Sequence, residues 1–107
     1  MSAFETLYAT ILARRETPQE GSYTCYLFDK GLDKILKKLG EECAETIIAA
    51  KNGSRDEVVS ELSDLAFHAA VLMAQLNIPP EDVAAELTRR AQKTGNLKEF
   101  HTVDKNT

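Results

Sequence analysis

Residues 29–76, DKGLDKILKKLGEECAETIIAAKNGSRDEVVSELSDLAFHAAVLMAQL, decide the fold. Within them Leu32, Leu36, Leu39, Cys43, Ile47 and Ala50 recur at spacings of three and four, the pattern of one apolar face on an α-helix. That helix is predicted from about Asp29 to Lys51, with Asn52-Gly53 as its stop. Ser54 followed by Glu57 reads as a capping box opening a second long helix, which runs to about Leu76. Only Gly53 and Ser54 join the two, so they are expected to fold back as an antiparallel hairpin.

Shorter helices flank this hairpin. Ser2 with Glu5 opens a first helix that carries Leu7, Ile11 and Leu12 on one side and ends near Arg15. Thr17 to Thr24 reads as a polar connector. Asn77-Ile78-Pro79-Pro80 ends the second long helix, and Pro80 suits the first turn of a last one bearing Val83, Ala84 and Leu87. It is expected to end between Lys93 and Gly95. No stretch alternates with period two, so the class is all-α, one domain over 1–95. The tail 96–107 has weak periodicity and is expected to order only against a partner.

Composition bounds the function. The 107 residues hold 13 Lys plus Arg against 17 Asp plus Glu, a net charge of -4, which argues against a nucleic-acid binder working through bulk charge. Cys25 and Cys43 stand in neither CxxC nor Cys/His spacing, so neither a zinc site nor a disulfide framework is expected. The opening MSAFETLYATILARRE carries acids and lacks the build of a secretory leader. The apolar run Leu65 to Ala74 is broken by His68 and is too short to span a bilayer. A cytoplasmic protein with no membrane partner is the expectation. From Leu65 to Leu76 only His68 and Gln75 are polar, so this helix needs cover on several sides. A homodimer or higher homo-oligomer, completing a helical bundle, is therefore expected.

The chemistry lies in the acids. At about 100° per residue, Glu57, Glu61, Asp64, His68 and Gln75 share a strip roughly 60° wide. Glu42 and Glu45 are spaced i, i+3, Glu41 and Glu45 i, i+4, and Glu61 and Asp64 again i, i+3. Glu45 and Glu61 lie eight residues either side of Gly53, at similar heights in a hairpin. The fold is thus expected to gather Glu41, Glu42, Glu45, Glu61 and Asp64. Such a group repels itself unless its pKa values rise or a cation neutralises it, and an all-oxygen set suits a hard ion, Mg²⁺ first and Mn²⁺ next. Mg²⁺ held this way keeps positions open for phosphate oxygens and activates water. The competing account is solvated helix surface.

Lys30, Lys34, Lys37 and Lys38 lie on the side of Glu41 and Glu45, a layout that suits a polyphosphate, although i, i+4 pairing with the acids explains it equally. Cys43 is expected to pack in the core, and His68 to be a hydrogen-bonded structural histidine ahead of a residue that orients a carboxylate or water.

The EExxE of Glu41, Glu42 and Glu45, followed after fifteen residues by the ExxD of Glu61 and Asp64, resembles the signature of the all-α MazG-like nucleotide pyrophosphohydrolases. Gly21-Ser22-Tyr23-Thr24, Lys30-Gly31 and Lys37-Lys38 leading into Gly40-Glu41-Glu42 are similar, more narrowly, to the phosphoribosyl-ATP pyrophosphatases of histidine biosynthesis. The resemblance covers residues 3 to 94. It implies hydrolysis of phosphoribosyl-ATP to phosphoribosyl-AMP and pyrophosphate. It implies further that Glu42, Glu45, Glu61 and Asp64 ligate Mg²⁺, with Glu41 holding a second ion or the attacking water. Lys38 and Lys34 would bind phosphate, and Ser22, Tyr23 and Thr24 would line the substrate site. Two other readings stand beside it: a hydrolase of damaged nucleoside triphosphates, and a non-enzymatic helical dimerisation module.

Overall fold

A computed structural model describes residues 1–93; the expected tail 96–107 lies outside them. The order is α1 (Ala3–Glu16), α2 (Tyr23–Lys30), α3 (Leu32–Lys51), α4 (Arg55–Gln75) and α5 (Pro80–Ala91), with no strand among the described residues. None of these helices is long and apolar enough to cross a membrane.

The caps follow the sequence. The Glu5 amide donates to Ser2 Oγ at 3.1 Å and the Ser2 amide to Glu5 Oε1 at 2.8 Å, a complete capping box. At Ser54 the hydroxyl accepts from the Glu57 amide at 3.3 Å, half of that reciprocal pair. Gly53 (φ 76°) makes the reversal between α3 and α4, which pack along each other as the expected hairpin.

Two expectations are corrected. The first concerns the segment before the hairpin, expected as a connector and then the start of one long helix. It is instead a separate helix, α2, whose first turn is held by Ser22 Oγ accepting from the Cys25 amide at 3.2 Å. Gly31 breaks the chain between α2 and α3: its φ of 92° is a backbone that side-chain-bearing residues avoid. Its amide closes α2 on the Leu27 carbonyl at 3.0 Å, and its carbonyl receives the Ile35 amide at 3.2 Å to open α3.

The second correction concerns which face of α3 is inside. The Leu32–Ala50 stripe was expected to be core, yet Leu36, Cys43, Ile47 and Ala50 are exposed, Ile47 at 64%. The buried residues of α3 are Ile35, Glu42 and Ala49, a line turned about 90° from that stripe at 100° per residue. The inward line of α3 therefore carries an acid, and its most continuous apolar line faces out.

The core lies at the other end of α4. Tyr8, Ile11, Leu27, Ile35, Ala70, Val71 and Ala74 are buried together, with Leu7, Leu12, Phe28 and Phe67 packed around them. Tyr8 Oη donates to the Ile78 carbonyl at 2.9 Å, and Arg15 reaches the Ala74 carbonyl and Asn77 Oδ1, capping the end of α4. Thus α1, α2 and α3 of the same chain pack on the apolar half of α4 around Ala70, Val71 and Ala74. α5 buries none of its residues.

Candidate metal centre and substrate face

The hairpin register brings three carboxylates into one cluster. One oxygen each of Glu42, Glu45 and Glu61 lies within 4.8 Å of the others. Glu42 points inward from α3 at 7% exposure, Glu61 faces it from α4 half-buried, and Glu45 closes the solvent side. Glu42 Oε2 and Glu61 Oε2 are buried and have no hydrogen-bond partner among the described residues. An unpaired buried oxygen of this kind costs free energy unless something outside the chain satisfies it.

The electrostatics agree with the geometry. Burial, then the charges of Glu45 and Asp64, push the Glu42 carboxyl above its ordinary value. Burial, then Glu45 and Glu42, raise Glu61 in the same way. Glu42 and Glu61 thus share with Glu45 a space in which the ionised forms of Glu42 and Glu61 are disfavoured. A cation is the ordinary remedy, and an all-carboxylate donor set fits a hard divalent ion. Beside them a cavity of about 220 Å³ is walled by Glu45, Glu57, Ser60 and Glu61.

The other expected site residues divide. Asp64 is exposed one turn beyond Glu61; its charge is felt by Glu42 and Glu61, but it is outside the three-oxygen cluster. Glu41 is also outside it. Its Oε1 meets Lys38 Nζ at 3.2 Å, and that contact holds its carboxyl below the ordinary range, with Lys37 and Lys34 adding to the effect. Lys38 is raised in return, through Glu41 first and Tyr23 next. The lysine stripe is therefore joined to the acidic one through Lys38 and Glu41.

α2 supplies the facing wall. The Ser22 hydroxyl is engaged in capping, Thr24 is half-buried, and Tyr23 is 44% exposed. Burial raises the Tyr23 phenol, with Lys38 opposing and Glu42 adding to the rise, so its ring stands within the field of both stripes. A cleft of about 520 Å³ opens along α2 between Ser22, Tyr23, Cys25 and Tyr26. Sequence reasoning missed the link from Tyr23 to His68, whose Nε2 lies 2.9 Å from Tyr23 Oη. Nothing in the spacing could reveal it, because the partners are 45 residues apart on helices whose mutual placement depends on the Gly31 break. The groove wall at Glu57 was readable, being i, i+4 from Glu61.

The model of the phosphoribosyl-ATP pyrophosphohydrolase family matches residues 4–91. The chain is 52% identical over 93 residues to the phosphoribosyl-ATP pyrophosphatase of Streptococcus thermophilus, covering 87% of this chain and 89% of that one. To the enzyme of the same name from Bacillus cereus strain B4264 it is 50% identical over 103 residues, 96% of each chain. To the Clostridium novyi enzyme of that name it is 48% identical over 98 residues, 92% of this chain and 89% of that one.

Proposed function

The chain belongs to the phosphoribosyl-ATP pyrophosphohydrolase family, and from that premise we propose that it hydrolyses phosphoribosyl-ATP to phosphoribosyl-AMP and pyrophosphate, the second step of histidine biosynthesis, with Mg²⁺ held by Glu42, Glu45, Glu61 and Asp64. The observation that carries the metal part is the pair of buried, unpartnered oxygens on Glu42 and Glu61 within reach of Glu45. Mn²⁺ meets the same all-oxygen demand and is the expected substitute. When bound, the ion neutralises charge on the departing pyrophosphate and makes a bound water more acidic.

The chain's own groups do the rest. Lys38 and Lys34 offer ammonium groups to phosphate oxygens beyond the cluster. Glu41, kept ionised by Lys38, accepts a hydrogen bond from the water that attacks phosphorus. That water's oxygen forms the new P–O bond while the bond to pyrophosphate breaks. Ser22, Tyr23 and Thr24 border the nucleotide from α2. A cytoplasmic setting goes with this reading, since the substrate is a free nucleotide.

A second copy of the chain belongs to the same proposal. Leu36, Ile47, Ile48, Val59 and Leu62 are large apolar side chains exposed on α3 and α4, the residues that an interface between copies would cover. Isologous pairing through this surface would bury it in a dimer and flank the acidic cluster.

Pyrophosphate release from phosphoribosyl-ATP and from ATP, each with Mg²⁺ and with excess EDTA, tests the reading. Metal-dependent turnover of phosphoribosyl-ATP alone is expected. Comparable turnover of both would point to a general nucleotide hydrolase, and turnover that persists in EDTA would remove the metal from the scheme.

A further inference from the structure

His68 is a buried imidazole that the proposed reaction does not use. It lies one turn after Asp64 on α4, 4% exposed, and both of its nitrogens are engaged. Nδ1 is 2.8 Å from the Asp64 backbone carbonyl. A carbonyl only accepts, so Nδ1 carries the proton, and in the neutral ring Nε2 is left as an acceptor. Tyr23 Oη, 2.9 Å from Nε2, is then the donor. Stacking brackets the same ring: the Tyr23 centroid is 5.9 Å from Phe67 and 6.0 Å from Tyr26, and Phe67 meets His68 edge-on at 5.1 Å. These two hydrogen bonds in series therefore tie a half-exposed ring on α2 to the backbone of α4 at Asp64.

We propose that His68 is a positioning residue for substrate binding: locked in its Nδ1–H tautomer by the Asp64 carbonyl, it accepts the Tyr23 hydroxyl and fixes that ring on the substrate side of the acidic cluster. The inference rests on the reading of Tyr23 as a substrate-site residue given above. Without the acceptor, Tyr23 keeps its stacking but loses its fixed orientation, so substrate pays an ordering cost on binding while the acidic centre is untouched.

Steady-state kinetics with phosphoribosyl-ATP test it in Tyr23→Phe, His68→Asn, His68→Gln and the double variant Tyr23→Phe/His68→Asn. Each of the first two is expected to raise KM by about three- to tenfold, the size of one net hydrogen bond, with kcat changed by less than about twofold. The double variant should be no worse than either single one. His68→Gln, whose amide oxygen reaches toward the Nε2 position, should recover most of the loss that His68→Asn keeps. Effects that multiply in the double variant, an unchanged KM in Tyr23→Phe, or no advantage of Gln over Asn would overturn the proposal.

Imidazole ¹⁵N resonances give a second readout that needs no turnover and no buried substitution. The chain has two histidines, so His101→Ala assigns them. The Nδ1–H tautomer is expected for His68, with the Nε2 resonance moving in Tyr23→Phe. An Nε2–H tautomer in an active enzyme would overturn this inference alone. An inactive wild type would overturn the functional reading and the positioning role with it, even if the tautomer is as expected.

Discussion

The two halves of α4 are built on opposite terms. From Phe67 to Ala74, α1, α2 and α3 cover the helix, Ala70, Val71 and Ala74 are buried, and its one buried polar side chain, His68, has a partner at each nitrogen. From Arg55 to Ala66 no side chain is fully buried. That half carries exposed Val59 and Leu62 beside Glu57, Glu61 and Asp64, with Glu61 Oε2 lacking a partner among the described residues. One helix thus has a completed half and an uncompleted one. The completed half holds the fold, and the uncompleted half presents a carboxylate oxygen that no group among the described residues satisfies.

If the halves are separable in this way, damage should separate too. The largest effect is expected at the uncompleted end: Glu45→Ala or Glu61→Ala should lower kcat/KM by about 100- to 1,000-fold, the usual scale for losing one charge-stabilising group. The melting temperature in EDTA should not fall with it, and a variant that unfolds would break the comparison. Ile35→Ala, in the completed end, should do the reverse. It should cost about 2–5 kcal/mol in denaturant titration, while the folded fraction keeps its turnover.

The pH dependence sharpens the contrast. Glu42 and Glu61 titrate above their ordinary value of 4.5 when folded, so folding takes up protons between that value and the raised one. Stability in EDTA should therefore decline as pH rises through that window, and the protein should melt higher at about pH 5 than at about pH 7.5. Mg²⁺ should narrow the gap. Glu5, Glu41 and Glu86 act with the opposite sign, Glu86 being lowered to about 2 by Arg89 and Arg90. Their contribution is present above 4.5 and is lost as the pH falls below it, for Glu86 down to about 2, so apo stability should peak where the two windows meet, near 4.5. Equal melting temperatures at both pH values in EDTA would count against strain at the acidic end. The smallest effect is expected from Ser54→Ala, which removes the cap of α4 at the uncompleted end and should cost about 1 kcal/mol by thermal melting.

How much of this was legible in the chain follows from which forces act locally. The hairpin, the caps at Ser2 and Ser54 and the meeting of Glu42, Glu45 and Glu61 were readable, because caps and registers are set within a few residues. α2 was not readable as a separate element, because Gly31 looked like one more residue of an apolar-periodic run. The inner face of α3 was also misread. Periodicity marks where apolar side chains line up, not which line meets its own chain, and here the line through Glu42 won. The bond between Tyr23 and His68 depends on both of these features and so was out of reach.

The most direct test of the account is the melting temperature at about pH 7.5, in EDTA and in Mg²⁺, of the wild type and of Glu42→Gln, which removes the buried charge without changing the size of the side chain. The account predicts that Mg²⁺ stabilises the wild type, by about 2.7 kcal/mol when it is present at 100 times its dissociation constant. It predicts further that Glu42→Gln melts above the wild type in EDTA and gains little from Mg²⁺. A wild type indifferent to Mg²⁺, together with a Gln variant less stable than it, would contradict the claim that the acidic end is a cation site left open by the fold.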